Sequence, residues 1–189
     1  MKGGAGFVQW LGTEGMWTYW TAIGGSFATL MILQCYAHSS PANMLWLSAF
    51  TMLESYSIGA ICTLYQASGN GIIVLEAFAI TSIVFIGLTF FTFQSKINFD
   101  FLGPGLFVSI LVLLVWGLFA NLFFNSFVVS QLYALAGTVI FSLFIVYDTH
   151  QIMARLSYDD YIHAAISLYL DFLNLFLFIL RLLGSSNND

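Results

Sequence analysis

An aspartate in the middle of an apolar run long enough to cross a bilayer limits what this chain can become. Asp171 lies in SLYLDFLNLFLFILRLL, the last part of a stretch from Phe141 to Leu183 that reads as two apolar helices joined by a short polar turn. The first of those helices carries Asp148. An ionised aspartate at the centre of a bilayer costs about 2.5–3.5 kcal/mol on insertion scales, so its default reading is functional. On a helix, Asp160, Ala164, Ser167, Asp171 and Asn174 follow each other at spacings of four, three, four and three, which puts them on one face. Leucine and phenylalanine cover much of the rest. Such a stripe belongs against other helices or a water-filled cavity, not against lipid. Asp148 has a shorter stripe of its own, with Gln151 and Arg155. Two carboxylates on consecutive helices could share one proton, because like charges at close range resist ionising together. With the turn centred near Met153–Ser157, a straight hairpin would offset the two by roughly 10 Å along its axis. Contact then needs tilt, or a first helix that continues past Arg155.

The chain is 60% hydrophobic and 7% charged, too few charges to surround a core of this size with a polar surface. An all-α membrane protein follows, since a bilayer offers no water to satisfy open backbone edges. The apolar runs are continuous, without the alternation of an outer-membrane barrel. The formal charge of −5 says little about partners, several acids lying inside apolar runs, and no nucleic-acid partner is expected. Cys35 and Cys62 read as small core residues rather than a disulfide or metal pair. There is no CxxC, no His-rich run and no glycosylation sequon.

Residues 1–15 form a short Gly-rich segment, residues 16–183 a transmembrane bundle of six predicted helices, and residues 184–189 a polar tail. The first span, Met16 to Ala37, has Trp17, Tyr19 and Trp20 at its start, suited to an interface belt, and Gly24, Gly25 and Ser26 as a close-packing patch. Asn43 to Gln66 is interrupted by Glu54. Ile72 to Phe93 has Glu76 in its first turn, where the helix dipole favours an anion. The fourth span opens at Gly103-Pro104-Gly105 and runs to about Phe124; the fifth covers about Val128 to Arg155. The sixth starts at Ser157-Tyr158-Asp159-Asp160, a capping-box-like sequence, and ends near Leu183. Lys96 and Arg155 are placed on the cytosolic side, while Arg181 can snorkel.

These residues also carry a resemblance. YDTHQIM followed by SLYLDFLNLFLFILRLL, with VLEAFAITSIVFIGLTFFTFQSK and FTMLES upstream, resembles the transmembrane Bax-inhibitor-motif family, and within it the lifeguard or Golgi anti-apoptotic branch. The likeness covers roughly Ala42 to the end. It implies a bundle of seven spans, of which the absent one would be the first, and a basic residue after the first span counted here, where this chain has Ala37 and His38. It also implies a pH-sensitive calcium leak from internal stores, in the Golgi or endoplasmic reticulum membrane, associated with protection from programmed cell death.

Three functions compete. In a cation leak, Asp148, Asp171, Glu54 and Glu76 would line or gate the pathway, with Ser167, Asn174 and His150 in support. Calcium, as transported ion and not resident cofactor, prefers six to eight hard oxygen ligands, and Asp148 and Asp171 are the candidate carboxylates. Alternatively, Glu54 is a protonated acid bonding across helices, Glu76 only a helix-start acid, and His150 and His163 interface residues able to tune the aspartates. The second function is a non-conducting protein that binds other membrane proteins of cell-death or calcium-store signalling. The third is an enzyme. Tyr147-Asp148 matches half of the intramembrane aspartyl-protease pattern, but Leu168-Tyr169-Leu170 precedes Asp171 where Gly-x-Gly would be needed. No HExxH or Ser–His arrangement is present, so catalysis is not expected.

Overall fold

The computed structural model describes residues 2–36, 39, 41–123, 126–154 and 161–186. Among these there are seven helices and no strand: α1 (Lys2–Thr13), α2 (Met16–Tyr36), α3 (Ala42–Ala67), α4 (Gly71–Gln94), α5 (Leu102–Phe123), α6 (Phe127–Ala154) and α7 (Tyr161–Ser186). All six expected spans are helices. Five of them, α3 to α7, are long and apolar enough to cross a membrane. The sixth, α2, falls short of that apolarity because Trp17, Thr18, Tyr19, Trp20 and Thr21 dilute its first turns. Large apolar side chains are exposed along these helices, Met52, Ile83 and Leu118 among them, as in a protein whose solvent is lipid.

The chain divides into two compact units, Met1–Val74 and Leu75–Asp189. In the first, α2 and α3 pack along one another on small residues. Ala22, Ser26, Thr29 and Leu33 of α2 are buried at helical spacing, as are Phe50, Ser57 and Ala60 of α3. Of the expected close-packing patch, Gly25 lies against Leu53, so that a Cβ would stand 3.1 Å from the leucine methyl, and Ser26 is buried, whereas Gly24 is open. The Thr18 hydroxyl bonds the Tyr56 hydroxyl at 2.6 Å. Within the expected short Gly-rich segment, residues 2–13 form α1, in which Leu11 is buried. Cys35 and Cys62 are both free, and Cys35 is exposed rather than a core residue.

A Schellman turn ends α3: Gly69, at φ +86°, donates to the Gln66 carbonyl, and Asn70 to that of Tyr65. This fixes the start of α4 at Gly71. Glu76 is therefore the sixth residue of α4, beyond the first turn expected for it.

In the second unit α6 and α7 pack along each other as a hairpin, and α5 lies beside α6. Phe78 and Phe85 of α4 meet Phe172 of α7 edge to face, with centroids 6.0 and 5.4 Å apart. α7 continues through Gly184 and Ser185 to Ser186, into the expected polar tail.

Candidate functional site

The α6–α7 contact is set by a glycine and a stack of rings. Gly137 of α6 leaves room for Phe178 of α7, whose ring a Cβ would overlap. Phe178 stacks on Phe141, which stacks on Phe144, both at 5.6 Å. The close approach continues toward the turn, where the acidic residues lie. Asp148 is six residues before the end of α6 and Asp171 ten residues after the start of α7. Their offset is then four residues, roughly 6 Å at helical rise, within what two side chains and a slight tilt can bridge. Arg155, Asp159 and Asp160 fall between, outside the described residues, as does His38.

The two carboxyl groups meet. Asp148 and Asp171 are hydrogen-bond partners, and the Ser167 hydroxyl is a second partner of Asp148. Two carboxyl groups bond each other only through a shared proton. Their surroundings differ. Asp171 is 4% exposed and its Oδ2 is buried without a hydrogen-bond partner, whereas Asp148 is half-buried. Thr149 Oγ1, next along α6, is likewise buried and unpartnered.

The remaining expected site residues divide. Ser167 joins the pair and also donates to the Ala164 carbonyl at 3.3 Å. Asn174 shares the face of Asp171, but its Nδ2 donates to the Leu170 carbonyl of its own helix at 2.8 Å. His150 turns to the α4–α5 loop, with Nδ1 3.9 Å from Asp100 Oδ1 and its ring edge-on to Phe99. Glu54 is half-buried in the first unit, and Glu76 is exposed on α4. Among the described residues no three His, Cys, Asp or Glu side chains group closely enough to hold a metal ion. Among those residues the aspartates stand as a pair.

Arg181, expected to snorkel, reaches across to the first turns of α6. Its Nε donates to Ser130 Oγ at 3.2 Å, and its guanidinium lies 4.9 Å from the centre of the Tyr133 ring. No residue pattern points to this contact or to that of Asp100, since in each the partner lies 51 residues away in the chain.

Residues 3–188 match the family described as inhibitor of apoptosis-promoting Bax1. The chain belongs to this family. Among its Bax-inhibitor relatives, Protein lifeguard 4 of Mus musculus is 42% identical over 163 residues, covering 86% of this chain and 66% of its own length. A Golgi anti-apoptotic protein of Vaccinia virus is 37% identical over the same length, covering 86% and 67%. Protein LIFEGUARD 2 of Arabidopsis thaliana is 39% identical, covering 82% and 66%. The chain thus spans about two thirds of the length of the relatives it matches. It is a multi-pass member of the Bax-inhibitor family, with its carboxyl pair on two helices able to span the membrane.

Proposed function

We propose that this chain forms a pH-sensitive leak for calcium in a Golgi or endoplasmic reticulum membrane and thereby suppresses apoptosis. The observation that carries the reading is the carboxyl pair between two spanning helices, with Asp171 Oδ2 buried and unpartnered beside it. With one proton present the pair ties α6 to α7. When the proton leaves, two bare charges at about 4 Å repel by about 4 kcal/mol at an effective dielectric of about 20, and the helices part. A calcium ion passing there finds two carboxylates and the Ser167 hydroxyl; backbone oxygen and water complete its shell. Among the described residues no third acid or imidazole is grouped with them, and such a site favours transit over retention. Glu54 and Glu76 are not members of the pair, and the reading does not need them.

The test is calcium efflux from proteoliposomes holding the intact chain, from mildly acid to mildly alkaline pH. The wild type should leak more as pH rises, and Asp171→Asn should lose that response. Absence of efflux from folded protein at every pH would remove the leak. The second reading is a non-conducting partner of cell-death proteins, consistent with the apoptosis named for the family and for the Vaccinia virus relative. On that reading a chain with both aspartates changed to asparagine keeps its protective effect in cells.

A further inference from the structure

The loop between α4 and α5 is built more tightly than a connection requires. Ser95 Oγ accepts from the Ile97 N–H and Asn98 Oδ1 from the Asp100 N–H at 2.9 Å, while the Asp100 carbonyl accepts from the Gly103 N–H. Phe99 is buried, tilted against Phe91 of α4 and edge-on to His150 of α6. Beside it the Asp100 carboxylate accepts a hydrogen bond from Gln151 Nε2 at 2.8 Å. One turn away, Tyr147 lies so close to Gly103 that a Cβ there would stand 2.8 Å from the phenol oxygen.

Tyr147, His150 and Gln151 occupy positions i, i+3 and i+4, one face of α6, and this loop and the start of α5 cover that face. Asp148 follows Tyr147 by one residue, about 100° further round the helix, and turns to α7. Any roll of α6 about its axis therefore moves Asp148 relative to Asp171, and the loop contact resists such a roll. We propose that the α4–α5 loop is a clasp on α6, with Asp100 as a positioning residue that sets how α6 presents Asp148 to α7. This rests on the carboxyl pair being the working site. The charged and titratable groups around the contact are Asp100, His150, Tyr147 and, at the same end of α7, His163; Lys96 of the loop is exposed.

The clasp can be broken and remade by exchanging donor and acceptor. Gln151→Glu replaces the hydrogen bond with two facing carboxylates; adding Asp100→Asn restores it in the opposite sense, the asparagine amide now donating. Two readouts are taken on the intact chain in nanodiscs. One is amide exchange over residues 95–103. The other is the infrared carboxyl signal of the Asp148–Asp171 pair, assigned by its change in Asp171→Asn. Gln151→Glu should lower protection of the loop by about fivefold and shift the carboxyl signal, and the double variant should return both toward wild type. Should Gln151→Glu fail to fold, Asp100→Ala removes the acceptor without adding charge and should move both readouts in the same direction. A wild-type-like carboxyl signal in the broken variants, or a double variant no better than the single, overturns the proposal. Neither readout uses calcium, so a chain that passes none would defeat the leak while leaving the clasp to be decided on these signals.

Discussion

Helices α5 and α7 are both long and apolar enough to cross a membrane, yet they are buried differently. α5 has no ionisable residue, and among its described side chains only Leu106 and Leu113 are buried, while Phe107, Leu114 and Leu118 are at least 60% exposed. α7 carries Asp171 and Arg181, and Ile162, Ile166, Leu175, Phe176, Ile179 and Leu180 are all buried around them. In water the more apolar helix would go inside. In lipid, which is as apolar as leucine, apolarity sorts nothing, and polar or small residues decide which helix faces its neighbours. The acid, the working group of α7 on the proposed function, is thus also a reason for its interior position.

The contrast is broken most severely by moving the acid. Val112→Asp puts a carboxylate on the exposed face of α5 and should cost about 2.5–3.5 kcal/mol, read as lost membrane insertion in a translocon assay. Gly137→Ala forces a methyl into the Phe178 ring, which Phe141 and Tyr133 hold in place, and should destabilise by about 1–3 kcal/mol in unfolding from mixed micelles. Gly87→Ala on α4, where nothing lies within 4 Å, sharpens that result by changing stability by less than about 1 kcal/mol, in the favourable direction. Arg181→Gln removes the guanidinium from Tyr133 and should lower stability by about 1 kcal/mol in the same assay. Val112→Leu, lipid-facing for lipid-facing, should stay within about 0.5 kcal/mol.

Much of this was legible from residues alone. The spans were plain because unbroken apolar runs of this length have few alternatives, and Asp148 and Asp171 stood out because each interrupts one. Spacing also put Ser167 and Asn174 on the face of Asp171, but a face is not a rotamer. Ser167 reaches the pair, while Asn174 bonds the carbonyl one turn back. The start of α4 was misplaced because the Asn70-Gly71 pair reads as turn, whereas the Schellman bonds close at Asn70 and free Gly71 to begin the helix. α1 was hidden by its glycines, which disfavour a helix. Asp100 could not have been found. Loops have no period, and its partner Gln151 lies 51 residues further on.

On the proposed function, Asp148 and Asp171 act as one proton-holding unit that controls the leak. A double-mutant cycle tests it: the pH response of calcium efflux is measured for wild type, Asp148→Asn, Asp171→Asn and the double variant in the same vesicles. A shared proton predicts that the wild-type leak grows with rising pH, that either single change removes most of that response, and that the double change removes no more. Two separate losses that add, or a pH response that survives in the double variant, would mean that the aspartates are independent and that the proton acts elsewhere.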